Sequence, residues 1–142
     1  VKMSKFSKFM KANKIKKENG FYAATKSLCD ENGQPLQWEF RHVSSREVEA
    51  IREECMGDVS LDKGGAMPMK MSGYVSKLIA AAVVEPDLQN TELQDSYGVI
   101  TPEDLLLAMV DDPGEYNRLG IWIQKFLGLN VRFDDMVEEA KN

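Results

Sequence analysis

The chain has 142 residues, a mass of 16.0 kDa and a net charge of −5, which is the size of one domain. Its 43% hydrophobic and 29% charged residues are typical of a globular protein rather than a disordered one. No apolar run reaches the ~18 residues of a membrane span, and the basic start lacks the apolar region of a secretory signal. With a single histidine, the thiols of Cys29 and Cys55 cannot complete a four-ligand zinc site, and they are expected to stay reduced.

Positive and negative charges are divided unequally along the chain. Residues 1–17 carry seven lysines and no acidic residue, whereas the other 125 residues carry a net charge of −12. An acidic body repels phosphate groups, so nucleic-acid binding by the body is not expected. The basic start could bind either an anionic partner or the acidic body of its own chain.

The start of the chain has the spacing of an amphipathic helix over residues 3–13, with lysines on one side. The apolar residues that share the other side are Met3, Phe6, Phe9 and Met10. We therefore predict a basic amphipathic N-terminal arm over residues 1–19, followed by a turn at Asn19-Gly20. Its apolar stripe could pack on the body or bind a partner, and attachment to a membrane surface is the least favoured alternative.

A β-hairpin is predicted over residues 21–42. The turn cluster from Asp30 to Gly33 separates an aromatic stretch, which ends at Leu28, from a segment of alternating apolar and polar residues. The alternating apolar residues Leu36, Trp38 and Phe40 predict a half-buried strand. Of these, Trp38 and Phe40 are expected to be core residues that pack under helices.

Residues 44–142 are predicted to form five or six helices, each with a capping or stop signal. One strongly apolar helix is expected over residues 72–84, and a last acidic helix is expected from Asp134 onward. The pairs that mark the other helix starts are Ser44 with Glu47, Thr91 with Gln94, Thr101 with Pro102, and Asp112 with Pro113. The predicted fold is therefore α+β and mostly α-helical, with an N-terminal helix and a β-hairpin followed by these helices in one compact domain.

A search for catalytic chemistry gives no constellation of the expected kind. His42 has no paired serine or cysteine motif beside it, and the patterns of phosphate loops and nucleophile elbows do not occur. Adjacent carboxylates such as Asp111-Asp112 are explained by helix starts or solvated helix faces. We therefore predict a non-enzymatic binding or assembly protein without cofactor or metal.

Three groups of apolar residues are candidate contacts for a protein partner. The first is the stripe of the arm, with Phe6, Phe9 and Met10, and the second is a run of alternating methionines at Met67, Met69 and Met71. Ile121 and Trp122 form the third, because they project away from the main apolar arc of their helix unless that helix is buried nearly all round.

Several blocks of the sequence, in their order along the chain, resemble the XkdN-like tail assembly chaperones of PBSX-type phages. The block PDLQNTELQDSYGVITPEDLL at residues 86–106 carries the most specific similarity, and the resemblance covers nearly the whole chain. The other similar blocks are DENGQPLQWE at 30–39, WEFRHVSSREVEAIREEC at 38–55, GEYNRL at 114–119 and FDDMVEEAKN at 133–142.

The resemblance implies a non-enzymatic protein of the bacterial cytoplasm that binds the tape measure protein and keeps it soluble until the tail tube polymerises. It implies absence from the mature virion, and the tail tube protein or a frameshifted longer form of the chain as further partners. Nucleic acid and membrane are not expected partners. Association of the chain with copies of itself into a homo-oligomer is left open as an alternative. The rival functions are a structural tail or head-completion protein that is retained in the virion, and a small anion-binding regulator that uses the lysine-rich start.

Overall fold

A computed structural model of the protein describes residues 5–57 and 71–129, which form a small antiparallel sheet covered by helices. The strands are β1 (Gly20–Tyr22), β2 (Trp38–Phe40) and β3 (Val83–Glu85), in the order β1-β2-β3. The helices are α1 (Ser45–Gly57), α2 (Met71–Ala82), α3 (Thr91–Ser96), α4 (Pro102–Met109) and α5 (Pro113–Phe126). The predicted α+β class is confirmed, and the predicted methionine run before Met71 and the final acidic helix lie outside the described residues.

Two buried clusters hold these elements together. The larger lies between the sheet, α2, α4 and α5, with Trp38, Phe40, Ile79, Leu106 and Ile123 among its members. The smaller joins α1 to α2 through residues that recur at helical spacing, namely Val48, Ile51, Cys55, Tyr74 and Leu78. Cys55 is therefore a buried core thiol, while Cys29 is an exposed free thiol.

The N-terminal arm is not the amphipathic helix that its spacing predicts. Ser7–Phe9 and Lys11–Asn13 form two single 3-10 turns, and Met10 between them is extended. A short isolated helix is marginal in water because nucleation is costly, so an apolar stripe needs a surface on which to pack. The described arm has no such support, since its residues from 8 to 19 are all exposed.

The hairpin prediction is correct in pairing but too long in its first strand. Tyr22 pairs with Trp38 and Gly20 with Phe40, while the turn closes at Asp30 as predicted, through bonds from Asn32 and Gln34 to its carboxylate. After Tyr22 the chain leaves the sheet, because Thr25 and Lys26 bind the carboxylate of Glu115 at the start of α5.

The predicted alternation of buried and exposed side chains does not extend to the residues before β2. Leu36 is 44% exposed, whereas Trp38 and Phe40 are fully buried as expected. Leu36 precedes the three residues of β2 and bonds only to the backbone of Leu28 across the loop. The sheet ends too soon to bring this side chain under the helices.

A third strand replaces the end of the predicted apolar helix. α2 stops at Ala82, and Val83 pairs with Phe40 of β2. Val83 and Val84 are β-branched and fit a pleated sheet better than a helix. Pairing with the neighbouring strand β2 therefore stabilises these residues more than continuing helix α2 would.

Most of the predicted helix starts are confirmed at the level of individual hydrogen bonds. Thr101 and Asp112 accept backbone N–H bonds from Asp104 and Glu115 at distances of 3.1 and 2.9 Å. The exception is α3, whose N-cap is Asn90 rather than Thr91, because the Asn90 side chain accepts the N–H of Leu93.

Candidate partner-binding surfaces

The three arm residues predicted to bind a partner are exposed and lie near one another in sequence. Phe9 is 80% exposed, and the rings of Phe6 and Phe9 contact each other at a centroid distance of 6.4 Å. The ammonium of Lys5 lies 5.1 Å from the centre of the Phe6 ring. Met10 and Ile15 continue this exposed apolar surface along the arm, interrupted by lysines. The arm therefore presents aromatic, aliphatic and positively charged groups to solvent together.

Trp122 occupies the centre of a stack of rings rather than an open surface. Its indole stacks on Tyr22 of β1 and on Phe126 of α5, with centroid distances of 4.9 and 5.0 Å. Phe40 packs against the same indole at 4.9 Å, with its ring tilted by 56°. For Trp122, the structure agrees better with an α5 helix that is buried nearly all round than with an exposed side chain. Ile121, the neighbouring residue, is half-buried.

The ring stack extends to the single histidine and depends on a glycine. His42 stacks on Phe126 with a centroid distance of 4.1 Å, which makes it a packing residue in this structure. A Cβ atom at Gly20 would lie 2.5 Å from the Cε1 atom of Phe126. Gly20 thus lets the Phe126 ring lie directly against the backbone of β1.

The remaining predicted contact residues, the methionines, are mostly beyond the described residues. Met67 and Met69 lie outside them, and Met71 is seen as the first residue of α2. The candidate contacts at these positions stay a prediction.

Sequence reasoning missed one exposed aromatic residue and one acidic surface. Phe21 is exposed on the outer face of the sheet, opposite Glu39 on the neighbouring strand. Residues 85–115 contain nine acidic residues and no lysine, arginine or histidine. A count of charges in a sliding window would have found this segment, which includes the strongly exposed Ile100.

The strongest electrostatic feature of the body joins the end of the sheet to α1. Arg41 donates to both carboxylate oxygens of Glu47 at 3.1 and 2.6 Å. The capping box predicted from sequence is present as well, because Glu47 also accepts the N–H of Ser44 and its own N–H bonds to the Ser44 hydroxyl. These bonds, first that from Arg41, lower the pKa of Glu47 from its ordinary 4.5 to about 2.

We expect the substitution Glu47→Gln to reduce the free energy of unfolding by about 1 kcal/mol at neutral pH. The full pKa shift would overstate the effect, since the two side chains are 41% and 39% exposed and solvent screens the pair. A carboxyl whose pKa is lowered by folding stabilises the native state above its ordinary pKa and loses that contribution as the pH falls toward the folded value. The difference between wild type and variant in chemical denaturation should therefore shrink between pH 4.5 and about 2, and a difference independent of pH would contradict this role.

The described residues contain neither a metal-binding cluster nor a membrane-spanning helix. No group of three or more histidine, cysteine, aspartate or glutamate side chains in residues 5–57 and 71–129 is arranged to hold a metal ion. None of the helices described in those ranges combines the length and apolarity needed to cross a membrane.

Comparison with known proteins places the chain in a family. The family model described as phage XkdN-like tail assembly chaperone protein matches residues 6–141. A curated relative, the phage-like element PBSX protein XkdN of Bacillus subtilis (strain 168), is 20% identical over 138 residues, which span 94% of this chain and 91% of that protein. The chain belongs to the XkdN-like family of phage tail assembly chaperones, and the resemblance noted from the sequence is confirmed.

A solved structure supports the fold independently of the sequence match. The crystal structure of the protein YqbN superposes with a TM-score of 0.74 at 16% identity and covers 91% of this chain and 100% of that chain. At this level of identity the similarity establishes a shared fold. The role of the family is in tail assembly and is not catalytic.

Proposed function

We propose that this chain binds the tape measure protein of its phage and keeps it soluble until the tail tube polymerises. The observation that carries the proposal is the exposure of the large apolar side chains in the described part of the arm, namely Phe6, Phe9, Met10 and Ile15, while the body has a well-formed core. Exposed apolar residues grouped on one segment are typical of a surface that binds another protein. Membership of a tail assembly chaperone family directs the proposal to a tail component as the client.

The arm has the chemistry needed to cover an amphipathic helix. Long amphipathic helices aggregate when their apolar faces are bare, and a chaperone must cover such faces while remaining soluble itself. Phe6, Phe9 and Met10 supply apolar contact area, and the intervening lysines keep the arm solvated when no client is bound. The arm is then expected to become helical on the client, because the client supplies the apolar surface that a lone helix lacks.

The other candidate residues are proposed as secondary contacts. Ile121 is half-buried, so a client could contact only part of its side chain. Trp122 contributes mainly through the stack it stabilises. The methionines at Met67, Met69 and Met71 are proposed as contacts because methionine side chains are flexible and apolar.

The double variant Phe6→Ser/Phe9→Ser tests the arm as the client-binding segment. Two phenyl rings that become buried on binding contribute enough apolar area that their loss should weaken the complex roughly tenfold or more. The measurement is affinity purification of the tape measure protein after co-expression with the tagged full-length chain, quantified against wild type.

Phe21→Ser is the matched control for that experiment, because Phe21 is an exposed phenylalanine on the outer face of the sheet. The control should retain the client at the wild-type level, and all variants should keep the wild-type melting temperature. Equal retention of the tape measure protein by the arm variant and the wild type would refute the role of the arm.

We also propose that the protein acts in the cytoplasm of the bacterial host and is absent from the finished virion. A chaperone that is displaced as tube subunits polymerise leaves no copies in the particle, whereas a structural tail or head-completion protein remains. The tail tube protein and a frameshifted longer form of the chain are proposed as further partners. Mass spectrometry of purified virions separates the two roles, since stoichiometric amounts of this chain would identify a structural component.

A further inference from the structure

The described part of the N-terminal arm presents positive charge and exposed apolar side chains to solvent. Residues 1–17 contribute seven positive charges, and Phe9 and Ile15 are 80% and 92% exposed. The side-chain hydrogen bonds seen for the arm are local or reach only the adjacent sheet, from Asn13 to Ser7 and from Asn19 to Glu39. A segment of this kind is suited to a surface that combines negative charge with exposed apolar side chains.

The body of the same protein presents such a surface. Residues 85–115 hold nine acidic residues without a basic one, and they include α3, α4 and the start of α5. Two large aliphatic side chains are exposed within this segment, Ile100 at 87% and Leu107 on α4 at 46%. The acidic surface, defined here as residues 85–115, thus complements the arm, because its charge is opposite in sign and it also exposes apolar side chains.

We propose that the arm of one copy of this chain binds the acidic surface of a second copy. The arm and the acidic surface are different parts of the chain, so the contact is heterologous and can extend from copy to copy or close into a ring. Residues 8–19 of the arm are exposed in the single chain, which leaves them available to a neighbour. The contact is partly electrostatic and weakens as salt screens the charges.

Two variants of the full-length chain test the two sides of the contact. The arm variant carries Lys8→Glu, Lys11→Glu and Lys14→Glu, and the surface variant carries Asp95→Lys and Asp111→Lys at exposed positions. Glu31→Lys with Glu53→Lys is the matched control for the surface variant, because it makes the same change in net charge at exposed positions outside the acidic surface. Sedimentation velocity over a concentration series, at low and at high salt, gives the mass of the species formed.

Wild type and control are expected to self-associate at low salt and to dissociate at high salt. Each of the two test variants should associate roughly tenfold more weakly, because several charge pairs are lost or reversed at once. A mixture of the arm variant and the surface variant should form a one-to-one dimer and nothing larger, since only one intact arm and one intact acidic surface remain to meet. This limited dimer is the result specific to a heterologous contact.

Three results would overturn the proposal. They are a wild-type chain that is monomeric at every concentration and salt, a surface variant that associates as strongly as the control, and a mixture of variants that forms no dimer. A wild type that stays monomeric while NMR signals of the arm shift with salt would show that the arm binds its own body. All of these measurements use the chain without a client, so their failure leaves the proposed binding of the tape measure protein untouched.

Discussion

Replacing Trp122 with alanine is expected to lower the free energy of unfolding by about 3 kcal/mol. The indole touches Tyr22 and Phe40 of the sheet and Phe126 of its own helix, so one substitution removes contacts between three elements. The value is set at the lower end of those for buried tryptophans, because Trp122 is only partly buried. Chemical denaturation followed by circular dichroism measures the change.

Ile121→Ala is the neighbouring control for the tryptophan variant. Ile121 is also half-buried on α5 but is not part of the ring stack, so its truncation should cost about 1 kcal/mol. If the tryptophan variant unfolded at the same denaturant concentration as wild type, the stack would not be the support that fixes α5 on the sheet. Trp122 would then be free to act as a client contact in its own right.

The second large effect is expected for Gly20→Ala, at about 2 kcal/mol of lost stability. A methyl group at this position would lie 2.5 Å from Phe126, so that ring must move away from the strand. Moving it also disturbs the contacts of Phe126 with Trp122 and His42. Thermal unfolding, together with near-ultraviolet circular dichroism of the ring stack, reports both consequences.

Gly73→Ala is the matched control for the glycine substitution. Nothing lies within 4 Å of a Cβ atom at Gly73, which is inside α2. Alanine is the better helix former, so this variant should be neutral or more stable by up to about 1 kcal/mol. A loss of stability of the same size in both variants would show that the close approach of Phe126 to β1 is unimportant.

Local signals in the sequence predicted those features that depend on a few neighbouring residues. The caps at Ser44, Thr101 and Asp112 are formed by side chains three residues from the N–H groups they accept, so their sequence spacing determines the bond. The presence of the hairpin followed from the turn cluster at Asp30 to Gly33, and the burial of Trp38 and Phe40 followed from the alternation around them. At α3 the same chemistry was assigned one residue too late, to Thr91 instead of Asn90.

The features that were not predicted depend on distant parts of the chain. Val83 and Val84 belong to a strand because β2 lies beside them. The residues close to them in sequence do not indicate that β2 will be their neighbour. The first strand ends at Tyr22 because the segment after it is held by a hydrogen bond from the Thr25 hydroxyl to the carboxylate of Glu115, 90 residues later in the chain. The arm fails to form its predicted helix for the opposite reason, since its apolar stripe has no surface to meet within the described chain.

The candidate contacts differ in how well periodicity could place them. The helical arc of α5 left open whether Trp122 is buried or faces a partner, and it could not show that Tyr22 of β1 covers the ring. The exposure of Phe6 and Phe9 agrees with a partner-binding segment, although the predicted helix is absent. Their function as client contacts stays a proposal.

Co-expression of the tape measure protein with and without this chain tests the proposed function most directly. The measurement is the fraction of tape measure protein that remains in the soluble extract and elutes with the chain as a defined complex in size-exclusion chromatography. We expect the tape measure protein to be largely insoluble alone and to become soluble in that complex when the wild-type chain is present. Equal solubility with and without the chain, or a soluble tape measure protein that elutes separately from it, would contradict the proposed function.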